Sequence, residues 1–337
     1  MKQQMQQWRL ANNGLEHLAQ VAAPIPEPGP GEVRVKVTAV ALNHRDLTVI
    51  NDWTWPSFPL VLGSDMAGVV DKLGSGDSPY QIGDRVISSF TPSWLDGKLT
   101  GLASGGINLD LGGGLQGVLA EYIVLPVSGL VPAPTTLTDV EASTLTCAGL
   151  TAWFALIEKG GLKAGDRVLI QGTGGVALFA LQLAKAHGAE VFITSGDAEK
   201  GARARALGAD HVLDRHGDWV AEVLALTHNQ GVEQVLNNVG GANLAQALKV
   251  VAVEGYIAMI GAMGDDDLRG SVSQLLIKSP TIKGIHVGHR RALADLVQAV
   301  DATHLKPVID STYTWAQLPA ALAHLARGPF GKIVITL

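Results

Sequence analysis

The chain has 337 residues, 47% of them apolar, with 40 glycines, one cysteine and a formal charge of −6. That length exceeds what one hydrophobic core usually supports, so two domains are expected; the acidic balance and the lack of any Lys/Arg block exclude a nucleic-acid-wrapping protein. No apolar run reaches the roughly 18 residues of a membrane span, Cys147 alone excludes a disulfide framework or an all-cysteine zinc site, and the start MKQQMQQWRL has no apolar signal region, so a cytoplasmic protein with no membrane partner is expected.

The first third reads as β-rich. Residues 32–40 (EVRVKVTAV) alternate apolar and polar at period two, and the preceding PIPEPGPG is turn punctuation. Short apolar runs at 60–62, 67–70 and 85–89 predict further antiparallel strands of a small barrel or sandwich. The glycine-rich stretch 101–117 reads as a long surface loop. Residues 137–159 read as helical. From Arg167 onward, strands at 168–171, 191–195, 211–213, 234–237, 256–260 and 282–286 alternate with helices at 176–187, 198–207, 219–227, 243–251 and 272–278. Six alternating strands predict an α/β, doubly wound parallel sheet covered on both faces. Helices near 291–301 and 315–326 and a last strand at 332–336 complete the chain. The predicted domains are 1–126 with 290–337 returning to it, and 127–289.

The most informative motif is Arg167-Val-Leu-Ile-Gln-Gly-Thr-Gly-Gly-Val-Ala177. A strand runs into Gly172, Thr173, Gly174 and Gly175 and then into an apolar helix beginning with Val176. Gly172 suits the tight turn, Gly174 the approach of a pyrophosphate, and Ala177 close helix–strand packing; the helix N-terminus offers N–H groups to the phosphates. A dinucleotide is expected there. The next strand ends in Ser195 instead of the Asp or Glu that would take a ribose 2′-OH. Lys200, Arg203, Arg205 and Arg215 follow, cations suited to a 2′-phosphate, and equally to an exposed helix face. Asp197 is placed as a helix N-cap. NADP(H) is the expected cofactor, with NAD(H) left open.

In order and spacing, these pieces resemble the medium-chain dehydrogenase/reductase superfamily, in its zinc-independent, quinone-oxidoreductase-like branch. The matching segments are 24–40, Ala41-Leu-Asn-His-Arg-Asp46, Pro59-Leu-Val-Leu-Gly-Ser-Asp-Met-Ala-Gly68, Gly83-Asp-Arg-Val86, 117–124, Thr146-Cys-Ala-Gly-Leu-Thr-Ala-Trp153, 165–177, Ala206-Leu-Gly-Ala-Asp210 and Phe330-Gly-Lys332. The resemblance implies a GroES-like catalytic domain built from both chain ends, a Rossmann domain between, an active site in the interdomain cleft, and a homodimer or homotetramer. It places Asn43, His44 and Asp46 at the nicotinamide end and Thr151 against the ring. Loop capping by Asn43 and Asp46, and a pyrophosphate contact by His44, remain open alternatives. Where zinc alcohol dehydrogenases carry Cys, His and Cys, this chain has Asn43, Ser64 and Cys147, and no four-cysteine loop is present; no zinc is expected.

Asn238, Val239, Ile260, Gly261 and Val287 follow successive strands at the edge where such sheets bind ligands, and are expected to touch the cofactor. Trp53, Trp55 and Trp94 are candidates to line the substrate pocket, or to pack. Without zinc, hydrogen bonds must polarise the substrate, which favours hydride transfer from NADPH to a small quinone or an activated enone or enal. A zinc-type alcohol or aldehyde dehydrogenase and a catalytically weak NADPH-binding sensor are the alternatives.

Overall fold

A computed structural model gives the fold of residues 3–51, 58–99, 109–262 and 267–337. The chain divides into two compact units, Met1–Leu150 with Gly288–Leu337, and Thr151–Val287.

The first unit is built on a seven-stranded sheet. Its path runs Ile309–Thr314, Lys332–Thr336, Glu32–Leu42, Asp65–Leu73, Arg85–Ser88, Leu130–Pro132, with Tyr122–Pro126 also pairing Glu32–Leu42. The alternation in Glu32–Leu42 sends Val33, Val35 and Val37 into a core with Leu10, Met66, Leu119, Ile333 and Ile335. The C-terminal segment belongs to this unit: Lys332–Thr336 pairs antiparallel with Glu32–Leu42. The boundary, however, lies after Leu150 and not after residue 126. Leu130–Pro132 pairs with Arg85–Ser88, and Asp139 accepts from Thr38 Oγ1 at 2.7 Å and Arg85 Nε at 2.8 Å, which ties this stretch to the first sheet.

A second sheet joins the expected strand Leu60–Val61 to Gln4–Leu10 and Leu18–Pro24, and those two have no counterpart in the sequence reading, because QMQQWRL is mostly polar. The expected surface loop 101–117 is also revised over its described part. Gly112 and Gly117 are buried against the chain at 62–63, where a Cβ would come within 2.5 Å of Gly63 O and 2.3 Å of Leu62 O respectively. Glycine is needed there for close backbone approach.

The second unit is a six-stranded parallel sheet in the order His211–Asp214, Glu190–Ser195, Arg167–Gln171, Val232–Asn237, Val251–Met259, Thr281–Gly284. The order reverses between Arg167–Gln171 and Val232–Asn237, which makes that point the ligand crevice of a doubly wound sheet. Helices Gly175–Ala186, Ala198–Ala206, Trp219–Leu226, Leu244–Val250 and Val272–Lys278 lie within two residues of their predicted spans. The stretch 137–159 is helical but broken: Asp139–Ala142, a 3-10 turn Ser143–Leu145, Ala148–Trp153, then a π-helix Phe154–Lys159. Among the described residues no single helix is long and apolar enough to cross a membrane.

Candidate functional site

Strand Arg167–Gln171 ends in Gly172, whose φ of +83° is the left-handed conformation that favours glycine. Its N–H donates to Thr194 O and Oγ1, both at 3.1 Å, fixing the turn to the neighbouring strand. Gly174 differs. Its φ is an ordinary −82°, and a Cβ built there meets nothing within 4 Å. No backbone or packing demand explains a glycine at 174; the open space over it does. Helix Gly175–Ala186 starts at that point, and its first turn has N–H groups with no intrahelical partner. Val176 is half-buried, and Ala177, 2% exposed, closes the helix onto the sheet. This is a cradle that fits a diphosphate.

At the end of the next strand, Ser195 is buried, its hydroxyl donating to Asp197 O at 2.7 Å. Asp197 accepts from Lys200 N at 2.9 Å, confirming it as the N-cap of Ala198–Ala206. Ser195 pairs with Asp214, and Arg215 N donates to Ser195 O at 2.9 Å. This brings the Arg215 guanidinium over Gly196, where a Cβ would lie 2.2 Å from Arg215 Nε. Arg215 Nε donates to His216 Nε2 at 3.2 Å. Ser195, Gly196 and Arg215 therefore meet at one strand end. Gly196 escaped the sequence reading because nothing in sequence shows an arginine lying across it.

Across the switch point Asn238 Nδ2 donates to Gln171 O at 3.0 Å, and Asn237 Oδ1 accepts from Val239 N and Gly240 N at 3.1 and 2.9 Å. The backbone N–H groups of Ile260 and Gly261, two residues expected to touch the cofactor, are engaged within the sheet. Both donate to Asn237 O, at 3.0 and 3.2 Å, and a Cβ at Gly261 would sit 1.9 Å from Asn238 O. Gly261 is there for backbone proximity. Val287, at the end of the second unit, has φ +49°, an outlier for a β-branched residue.

In the first unit a polar cluster lies inside the apolar core. Asn43 precedes helix His44–Asn51; its N–H donates to Asp46 Oδ2 at 2.8 Å, so Asp46 caps that helix. His44 is exposed. Arg45 is turned inward, paired with Asp110 and lying 5.0 Å over the Phe90 ring. Asp65, fully buried, accepts from Ser64 Oγ at 2.6 Å and from Cys147 N at 3.0 Å. Lys332, 4% exposed, donates to Leu42 O at 2.6 Å and Asn43 Oδ1 at 2.5 Å. Burial pushes the Asp46 carboxyl up to about 6, and burial likewise raises Asp65. Burial, reinforced by Asp65, pushes the Cys147 thiol up, so it is an inert thiol rather than a nucleophile.

Asp65 and Lys332 were not singled out from sequence, although a lysine at the head of the buried strand KIVIT needs a partner. Thr151, 3% exposed, lies on Ala148–Trp153. Trp94 is 8% exposed, packed edge-on against His289 with its Nε1 donating to Gly97 O at 3.2 Å, which favours packing, the second of its two expected roles. Trp53 and Trp55 lie outside the described residues.

Residues 29–135 match the alcohol dehydrogenase GroES-like domain, and residues 175–302 the zinc-binding dehydrogenase domain. The chain is 35% identical over 338 residues to the zinc-type alcohol dehydrogenase-like protein C1773.06c of Schizosaccharomyces pombe, with 96% of each covered. It belongs to the medium-chain dehydrogenase/reductase superfamily. It is thus an oxidoreductase of the alcohol dehydrogenase family. A crystal structure from Sinorhizobium meliloti 1021, designated an alcohol dehydrogenase, is 51% identical with a TM-score of 0.96, covering 100% of both chains. NAD(P)H oxidoreductase RTN4IP1, mitochondrial, of Bos taurus is 30% identical over 354 residues, covering 91% of this chain and 82% of that protein.

The family implies a nicotinamide dinucleotide, and the open cradle at Gly172–Gly175 fits one. The family's zinc is another matter. Asn43 and Ser64 offer only neutral oxygens in place of thiolate and imidazole, and an ammonium already lies on Asn43 Oδ1. These residues do not fit a catalytic zinc. Among the described residues no group of three or more His, Cys, Asp or Glu gathers elsewhere to hold one.

Proposed function

We propose that the protein is an NADPH-dependent reductase of quinones, or of double bonds conjugated to a carbonyl, that works without catalytic zinc. Gly174 carries the dinucleotide half of this reading: a glycine with ordinary φ and empty space over it is kept for a ligand that passes close. Ser195 in place of a carboxylate, with Arg215 laid across Gly196, supports the phosphorylated cofactor. The name of the Bos taurus relative points to a nicotinamide cofactor of either kind.

When bound, NADPH supplies the hydride. The chain's own contribution is to cradle the diphosphate at Gly172–Gly175, to hold the 2′-phosphate at Arg215, and to offer the buried polar groups around Asn43 to a substrate oxygen. A substrate that already welcomes hydride needs only hydrogen-bond stabilisation of the resulting enolate or quinol oxygen. The test is NADPH consumption across a panel of quinones, enones and aldehydes, with metal analysis of the same preparation. Turnover of quinones or enones without bound zinc is the expected result. Turnover confined to alcohols and aldehydes, with stoichiometric zinc, favours the zinc-type dehydrogenase, and tight NADPH binding without turnover favours a sensor. At the cofactor itself, Arg215→Ala is expected to weaken NADPH by about tenfold or more while leaving NADH binding within about twofold.

The proposal includes a homo-oligomer. Among the described residues Thr281–Gly284 is an edge strand, paired with Val251–Met259 alone. Beside it in the chain, helix Val272–Lys278 buries no residue and exposes Val272, Leu276 and Ile277. An open ladder next to exposed apolar side chains is the kind of surface that a second copy covers.

A further inference from the structure

Met5, Gln7 and Arg9 stand two apart in strand Gln4–Leu10 and so share one face of it. All three line a groove of about 430 Å³ that belongs wholly to the first unit. Its floor is the outer side of the hydrophobic core, where Met5, Val61, Ala120 and Ile123 are each 9% exposed or less. Two polar side chains share this lining with nothing to bond. Gln7 is 9% exposed, yet among the described residues its amide has no hydrogen-bond partner. Arg9 is half-buried, and among the described residues its guanidinium meets no carboxylate, carbonyl or ring. The neighbours are committed elsewhere. Gln116 Oε1 accepts from Val61 N at 2.8 Å and its Nε2 donates to Pro59 O at 3.1 Å. Arg34, lying 5.5 Å over the Tyr122 ring at the groove, is answered by Glu27 and Asp71. Burying an amide or a cation without a partner is disfavoured, and a lining that holds one of each calls for a ligand to explain it.

We infer that this groove is a binding site for a small organic monocarboxylate with an apolar body, its carboxylate taken by the Arg9 guanidinium and the Gln7 amide. A guanidinium presents parallel N–H donors that match the two oxygens of a carboxylate, and the amide adds a further donor. One cation and one neutral amide suit one negative charge. No second cation lines the groove to balance a dianionic phosphate, and no Asp or Glu lines it to repel a carboxylate. The apolar floor takes the body, and the volume falls within the roughly 300–1,000 Å³ of small-molecule pockets. The site needs no nicotinamide and no residue of the second unit, so the inference stands apart from the reductase reading.

The test is calorimetric titration of the full chain with 4-phenylbutyrate, and with 4-phenylbutyramide, acetate and inorganic phosphate for comparison. 4-Phenylbutyrate is expected to bind at least about tenfold more tightly than each of the other three. Arg9→Met should weaken it by about tenfold or more, and Gln7→Leu by about three- to tenfold. Arg9→Lys, which keeps the charge and loses the fork, should fall between wild type and Arg9→Met. Arg9 has no partner within the chain to lose, so Arg9→Met is expected to melt within about 2 °C of wild type; Gln7→Leu decides the matter if it does not fold. A second readout fixes the place. The ¹³C-methyl signal of Met5, assigned by its loss in Met5→Leu, should move on addition of 4-phenylbutyrate to wild type and stay still in Arg9→Met. Equal affinity for phosphate or for the neutral amide, binding unchanged in Arg9→Met, or a Met5 methyl that ignores the ligand overturns the inference. So does a groove that takes no carboxylate while Arg9→Met abolishes self-association in ultracentrifugation, since its occupant is then a second copy of the chain.

Discussion

Gly174 and Gly261 look alike in sequence and differ in cause. A Cβ at Gly261 would strike Asn238 O, so its glycine serves the fold; a Cβ at Gly174 strikes nothing. Gly174→Val is therefore expected to keep the melting temperature within about 2 °C while raising the NADPH Kd by about a hundredfold. Fluorescence titration of a variant shown to be folded by calorimetry checks both halves, and unchanged NADPH affinity would remove the cradle reading. Val287 carries strain in place of space. The left-handed conformation costs a non-glycine residue about 1–2 kcal/mol, which offsets part of what burying its side chain contributes. Val287→Gly should thus cost less than about 1 kcal/mol, whereas Val235→Gly, in the centre of the parallel sheet, should cost several. Urea denaturation of both variants makes the comparison.

Among the elements, helix Arg290–Thr303 is held to the segment before Asp139 by Arg290 Nε, which donates to Leu130 O at 2.9 Å, and by one carboxylate that takes four hydrogen bonds. Asp301 accepts from the backbone N–H and hydroxyl of both Thr135 and Thr136, at 2.7–3.0 Å. Burial acts to raise its pKa, but these donors outweigh it and take the value from 3.8 to about 2. Because the folded value is depressed, the stabilisation is present above about pH 4 and is lost as pH falls from there towards 2. Asp301→Asn should flatten that part of the acid limb in a plot of urea midpoint against pH; an unaltered limb would show that the strap contributes nothing. The helix Val272–Lys278 poses a different question. Ile277 is 75% exposed and Leu276 72%. Replacing Ile277 by Glu is expected to shift the chain towards monomer in analytical ultracentrifugation with little change in thermal stability, since no intrachain burial is lost.

At the scale of the molecule, periodicity was enough for the second unit. Its strands are buried on both faces, so they read as continuous apolar runs between amphipathic helices, and the Gly172–Gly175 turn stood where strand met helix. Much less of the first unit was legible. Gln4–Leu10 and Ile309–Thr314 pair through backbone groups and carry polar side chains, so no alternation announces them. The break in 137–159 was hidden as well, because every piece of it is helix-compatible and no proline or isolated polar run marks where one piece ends. The sequence by itself determined the fold class, the phosphate turn, the missing carboxylate at Ser195 and the poor metal donors at Asn43 and Ser64, since each depends on residue type at a local spacing. Only the tertiary structure decided that Trp94 packs, that Gly196 makes room for Arg215, and that Lys332 meets Asn43 across 289 residues of chain. Those facts depend on which strands become neighbours, and strand pairing over such separations leaves no local signal in the chain.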